Sequence, residues 1–240
     1  MMLFIRSSLF FILMIIVTVF FSLIMAILGW ILPFNANCRL ATGWAQTNLF
    51  LLKNICGLDY QVSGLENIPD TACIIMSKHQ SAWETIAFRS IFPANQAWVL
   101  KKELMYVPIF GWALAVVSPI AINRKAGKKA ARQVIDQGLE KLSLNRNIMI
   151  FPEGTRVAPG ERIRYGIGGG LLAEKANVPL IPVAHNAGVF WKRRGLIKLP
   201  GTIQVVIGEA IDTSGKRSVK IMQDVEEWIE SKMLELPIEP

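Results

Sequence analysis

The stretch "ACIIMSKHQSAWETIAFRSIF" (Ala72–Phe92) decides the fold. Its first five residues, Ala72–Met76, are an unbroken apolar run, the pattern of a short strand buried on both faces. From Gln80 onward the pattern becomes helical, and Ser81-Ala82-Trp83-Glu84 fits the S-x-x-E capping box at a helix start. A buried strand that turns within a few polar residues into a helix is the opening of a parallel α/β layer. One of only two histidines in 240 residues, His79, lies in that turn.

The same alternation continues on both sides. Strands are expected at Leu58–Gly64, Ala72–Lys78, Ala97–Lys101, Pro119–Arg124, Asn147–Phe151, Val178–His185 and Thr202–Gly208. Helices are expected at Gln80–Phe92, at Glu103–Val117 with an interruption near Pro108, and at Lys125–Leu142, Leu171–Asn177 and Val219–Leu236. This order predicts an α/β domain over residues 58–240, a mostly parallel sheet flanked by helices.

Upstream of Gly57 the composition changes. No charge occurs between Arg6 and Arg39, and Leu9–Phe34 is dominated by Leu, Ile, Val, Phe, Met and Ala. As a helix this stretch measures roughly 39 Å, enough for a hydrocarbon core of about 30 Å. Trp30 lies near its far end, where interfacial aromatics are favoured. The run exceeds the h-region of a signal peptide, about 7–15 residues. Residues 1–57 are therefore expected to form a membrane-anchoring helical region, with Cys38–Gly57 as a second, amphipathic piece. Crossing the bilayer and looping back at Pro33 both remain open. Cations flank the segment on each side, so charge does not set its orientation.

A net charge of +8 favours an anionic partner: nucleic acid, an anionic membrane surface or a phosphorylated substrate. The three cysteines, Cys38, Cys56 and Cys73, form no CxxC pair and read as small buried thiols in a reducing compartment. His79 and His185 lack the spacing of metal ligands, so no metal is expected.

Three constellations carry chemistry. His79 and Glu84 would be about 140° apart around one continuous helix. With His79 in the turn and Glu84 in the first helical turn, they can converge. The carboxylate then accepts from one imidazole nitrogen and leaves the other as a base. The capping box accounts for Glu84 equally well without catalysis. The second is "FPEGTR" (Phe151–Arg156), where a buried strand ends in a glycine-containing turn and an arginine suited to phosphate oxygens. Its plain alternative is a surface turn. The third is "INRK" (Ile122–Lys125), where Arg124 ends another strand and either completes a phosphate clamp or opens a solvated basic helix. His185 reads as structural, and "GIGGG" (Gly166–Gly170) as a bend or close backbone approach, since it lacks both phosphate-loop patterns. Lys101–Lys102 and Trp191–Arg194 read as either an anionic-lipid interface or solvated basic loops.

Taken in order, these pieces resemble the glycerophospholipid acyltransferase family. That family carries H-x4-D, an arginine-bearing strand end, F-P-E-G-T-R and V-P-I-x-P. Here these correspond to His79–Glu84, Gly111 through Arg124, Phe151–Arg156 and Val178–Pro182, and Lys101–Leu104 ("KKEL") resembles an intervening segment. Two positions depart: Glu84 stands for the usual aspartate, and Lys78 for the asparagine before the histidine.

The resemblance implies an acyltransferase. The acyl group would pass from acyl-CoA or acyl-carrier protein to the sn-2 hydroxyl of a lysophosphatidic acid, giving phosphatidic acid. His79 would serve as general base and Glu84 as its partner. Arg124 and Arg156 would grip the phosphate, with Glu153, Gly154 and Thr155 shaping the acceptor site. No cofactor beyond the donor is implied, and the catalytic domain would sit at the cytoplasmic side of a membrane. Glycerol-3-phosphate or another lysophospholipid remains an alternative acceptor. A membrane hydrolase would need a nucleophile, and no G-x-S-x-G elbow is present. A nucleic-acid binder would need a recognition motif, and no helix–turn–helix, zinc or RNP pattern appears.

Overall fold

The computed structural model describes residues 1–239, without the side chains of Lys125 and Lys128. Two long helices open the chain, α1 (Met2–Leu28) and α2 (Phe34–Leu51). The second runs into a wider helical turn, Leu52–Cys56, and ends at Gly57. Gly57 has φ +67°, the left-handed helix cap that glycine adopts without strain. Then follow β1 (Leu58–Ser63), β2 (Ile74–Ser77), α3 (Trp83–Ile91), β3 (Gln96–Lys101), α4 (Phe110–Val116), β4 (Ile120–Ile122) and α5 (Lys128–Ser143). The chain closes with β5 (Asn147–Ile150), α6 (Gly168–Ala176), β6 (Leu180–His185), α7 (Ala187–Phe190), β7 (Gly201–Ile207) and α8 (Ser218–Glu235).

The strands form one sheet in the order β1-β7-β6-β2-β5-β3-β4. Pairing is parallel throughout except between β6 and β7. The alternation of strand side chains splits the core in two. Ile75, Met149, Ile181 and Val183 face one layer with α1, α2, α3 and α7. Ile74, Met76, Ile148 and Leu180 face the other with α5, α6 and α8. Strands covered on both faces must be apolar at every position, which is why β2 reads as a continuous run.

Some segments differ from the sequence reading. The expected helix over Glu103–Val117 is a 3₁₀ turn, Lys102–Tyr106, followed by α4. Ile109 between them has positive φ, so the break at Pro108 is complete. The "GIGGG" stretch starts α6, and a Cβ on Gly170 would lie 2.6 Å from Met222 Cγ, so glycine there permits helix packing. Trp191, in the stretch read as either a lipid interface or a solvated basic loop, is buried. It meets Phe10 edge-on at 5.7 Å and carries the Lys198 ammonium 4.5 Å above its ring. The short helix α7 had no signal in the sequence pattern.

The first helix touches the α/β layer at both ends. Near its start the Lys198 N–H donates to Ser7 Oγ at 2.9 Å, and Phe10 is wholly buried in the first core layer. Near its end Met25 packs with Ala113 and Val117. The opposite face is apolar and open: Ile5, Ile12, Ile16, Phe20 and Ile27 are each more than half exposed. Among the described residues α1 is the one helix long and apolar enough to cross a membrane.

Candidate active site

Parallel pairing sets the site. Met76 of β2 is in register with Ile150 of β5, so the segments that leave the carboxyl ends of these central strands lie side by side. One carries His79 and the other Phe151–Arg156. Ligands bind at such carboxyl ends in open parallel sheets.

His79 and Glu84 converge. His79 Nδ1 is 2.8 Å from Glu84 Oε1, and the same oxygen accepts the N–H groups of Gln80 at 2.8 Å and Ser81 at 2.7 Å. Half of the capping box therefore forms, through Glu84 to Ser81 N–H, while Ser81 Oγ accepts from Trp83 N–H at 3.2 Å. Glu84 serves as cap and as imidazole partner at once. Its burial opposes ionisation, but the neighbouring imidazoles of His185 and His79 and the Ser81 N–H outweigh that and hold its carboxyl below the usual range. An ionised carboxylate only accepts, so Nδ1 carries the proton and Nε2 keeps its lone pair. The imidazole is 12% exposed and stacks on Phe151, with centroids 4.1 Å apart and planes 16° apart.

A cavity of about 490 Å³ opens beside this ring. His79, Arg124 and Arg156 all line it, with Phe151, Trp98 and Trp44 in its apolar wall. Arg124 donates through Nη1 to the Gly154 carbonyl, and partial burial pulls its pKa down, against the opposing charge of Glu103. The Arg156 carbonyl accepts from Arg193 Nη1 at 2.8 Å. The far wall comes from Phe21, Ser22 and Met25 of α1, Ala41 of α2 and Ala113 of α4.

Glu153, Gly154 and Thr155 do not line this cavity among the described residues. Glu153 turns inward instead: its Oε2 accepts the His79 N–H at 2.6 Å and its Oε1 lies 2.8 Å from Lys78 Nζ. Burial pushes its carboxyl up, with Lys78 opposing. Glu153, expected to shape the acceptor site, directs its carboxylate to the His79 backbone and to the buried Lys78 ammonium. Gly154 has φ +66° and supplies the carbonyl for Arg124, and Thr155 is exposed.

His185 is structural. It is fully buried, its Nε2–H donates to the Lys78 carbonyl at 2.9 Å and its Nδ1 accepts the Ala187 N–H at 3.3 Å. Burial lowers its pKa, with the Glu84 charge opposing. Two cavity residues escaped the sequence reading. Phe151 was read only as part of a motif, yet it is the face on which the His79 ring rests. Arg89, on the last turn of α3, is 7% exposed, lines the cavity and lies 4.9 Å over Trp98; burial lowers it to about 10. A lone arginine near a helix end reads as solvated, and only the helices above it bury it.

Comparison with known proteins places these features. A family model described as Acyltransferase matches residues 59–186. A 1-acyl-sn-glycerol-3-phosphate acyltransferase of Pseudomonas aeruginosa is 46% identical over 211 residues, spanning 86% of this chain and 81% of that protein. The human 1-acyl-sn-glycerol-3-phosphate acyltransferase beta is 28% identical over 165 residues, 68% of this chain and 59% of its own length. The crystal structure of the 1-acyl-sn-glycerophosphate (LPA) acyltransferase PlsC from Thermotoga maritima superposes with a TM-score of 0.79. It covers 96% of this chain and 94% of that one at 22% identity, a likeness of fold.

Proposed function

Since the chain belongs to the acyltransferase family, we propose that it acylates the sn-2 hydroxyl of 1-acyl-glycerol-3-phosphate, yielding phosphatidic acid, with His79 as general base. One observation carries the reading: an imidazole with a carboxylate on Nδ1 lines an apolar cavity that the guanidinium groups of Arg124, Arg156 and Arg89 also border. Nε2 takes the proton of the acceptor hydroxyl as its oxygen bonds to the thioester carbonyl carbon. Glu84 offsets the imidazolium charge as it forms. When the tetrahedral adduct collapses, the carbon–sulfur bond breaks and the imidazolium returns the proton to the leaving thiolate. Acid–base assistance of this kind contributes about 10²–10⁴-fold.

Arg124 and Arg156 hold the acceptor's phosphate, Arg suiting its oxygens through paired N–H donors. Arg156→Ala is expected to raise the acceptor KM by about tenfold or more, the loss of a charged hydrogen bond, while the donor KM holds. An unchanged acceptor KM in steady-state assays would remove Arg156 from the clamp.

The acyl chain occupies the apolar cavity between α1, α2, α4 and the sheet. Ala113→Phe narrows that wall and is expected to reduce turnover of long-chain donors while sparing short ones. Equal losses at every chain length would contradict this placement.

Acyl-CoA or acyl-carrier protein supplies the acyl group, and both carriers are cytoplasmic, which puts the catalytic face on that side of the membrane. The open apolar face of α1 rests in the lipid, where covering the roughly half-exposed side chains contributes about half of the 1.5–3 kcal/mol of a full burial each. The cations near the cavity mouth favour an anionic surface. The decisive experiment offers the purified full-length chain a labelled acyl donor on each carrier with a panel of acceptors. Label in phosphatidic acid is expected. Free fatty acid alone would indicate a hydrolase, and label only in products of glycerol-3-phosphate or another lysolipid would reassign the acceptor.

A further inference from the structure

The residue before the catalytic histidine is a lysine buried in the protein interior. Lys78 is 1% exposed, and its Nζ lies 2.8 Å from Glu153 Oε1 and 2.8 Å from Glu230 Oε1. Glu230 belongs to α8, far along the chain, and neighbours the core residue Ile229. Its Oε1 also accepts from the Tyr165 hydroxyl at 2.9 Å, and its Oε2 pairs with Arg162 Nε at 3.1 Å. A lysine at a loop tip ordinarily reaches water. Here the ammonium joins three segments: the loop after β2, the loop after β5 and the C-terminal helix.

What the network holds is the backbone of His79. The His79 N–H donates to Glu153 Oε2, and the His79 carbonyl accepts from Val157 N–H at 2.8 Å. Both backbone groups of the base are therefore fixed by the loop after β5. That clamp is strongest with Glu153 as an ionised acceptor, and a buried carboxylate stays ionised only beside a cation.

We infer that Lys78 and Glu230 are positioning residues for acyl transfer: Lys78 keeps Glu153 charged so that Glu153 fixes the His79 backbone, and Glu230 holds the Lys78 ammonium in place from α8. Neither touches the cavity. The inference rests on the acyl-transfer reading above. The groups facing Nζ are Glu153 and the Glu161 carbonyl from the loop after β5 and Glu230 from α8. Tyr165 and Arg162 stand behind Glu230, while His79 and His185 flank the lysine's backbone.

Removing the cation leaves two buried carboxylates that both converged on one nitrogen. Like charges this close force at least one to keep a proton. Protonation weakens Glu153 as acceptor, and the His79 backbone drifts. A displacement of the order of 1 Å at a reacting group costs about 10²-fold. The loss should be greatest at low pH and shrink as pH rises and the carboxylate returns.

The test measures kcat and the acceptor KM against pH for the full-length protein. Its variants are Lys78→Met, Glu230→Gln and the double variant, with folding followed by thermal unfolding. Lys78→Met is expected to lose about 10²-fold in kcat at neutral pH with the acceptor KM nearly constant, and to recover toward alkaline pH. Glu230→Gln retains the Lys78–Glu153 pair and should lose far less. The double variant leaves one carboxylate where Lys78→Met leaves two, and should regain part of the rate. Near-wild-type kcat in folded Lys78→Met, a loss confined to the acceptor KM, or a loss independent of pH would each overturn the inference. If Lys78→Met does not fold, the double variant decides, by the same pH-relieved loss of kcat or its absence. A wild-type chain without acyl transfer would defeat the underlying reading instead, so the two failures are distinct.

Discussion

His79→Ala should lower kcat for acyl transfer by about 10²–10⁴-fold and leave a folded protein. His79 is the one imidazole that lines the described cavity, beside the arginines and Lys101. Arg124, Arg156 and Arg89 are cations without a lone pair. The thioester and the cavity still hold the reactants together, so a residual rate from proximity should survive. The structural cost is small. The ring stacks on Phe151, a contact worth about 1 kcal/mol, and Glu84 keeps the N–H groups of Gln80 and Ser81 when the imidazole is gone. Single-turnover assays with labelled donor, beside a thermal unfolding curve, check both halves. Turnover close to wild type in a folded variant would end the general-base account.

Glu84→Gln is expected to give the next largest loss in rate, about 10²-fold in kcat. A glutamine oxygen can still accept from Gln80 and Ser81 N–H, so the cap persists and the amide is oriented with its oxygen toward His79 Nδ1–H. What it lacks is the charge that balances imidazolium. Neutralising a triad carboxylate in serine proteases costs about 10⁴-fold because the imidazole adopts the wrong tautomer. Here the two backbone donors hold the oxygen in place, which is why a smaller loss is expected. An unaffected rate would leave Glu84 as cap alone.

The same residue predicts a stability effect. Its folded-state pKa lies below the ordinary value, so it contributes stability in full above the unfolded glutamate pKa of about 4.3. That contribution fades as pH falls through the folded value. The stability gap between wild type and Glu84→Gln should therefore narrow in acid, as denaturant unfolding at descending pH can measure. A gap that holds constant into strong acid would contradict a depressed Glu84. Glu153, whose pKa is raised, has the opposite sign: its ionisation costs stability as pH rises past the unfolded value.

Much of this architecture was present in local pattern. Continuous apolar runs at Ile74–Met76 and Ile148–Ile150 mark strands covered on both faces, and the helices between them make the sheet parallel. The convergence of His79 and Glu84 was legible because it depends on five residues and one turn. For Arg124 and Arg156 the sequence left a phosphate clamp and solvated positions both open, and only the fold lines one cavity with the two of them.

The sequence alone determined which residue types stand at the carboxyl ends of the strands, since periodicity and spacing are local properties of the chain. Only the tertiary structure decided which of them face the cavity. Glu153 looks like its neighbour Arg156 in sequence, yet the register of β2 beside β5 aims it at Lys78 and the His79 N–H. Lys78 ends an expected strand in the sequence, and only the fold brings Glu230 of α8 over it, from more than a hundred residues later. The apolar run of α1 is plain in composition, but its anchoring at both Ser7 and Met25 comes from partners in the α/β layer. Burial of a charge and pairing across a sheet depend on contacts between distant segments, and no local pattern encodes them.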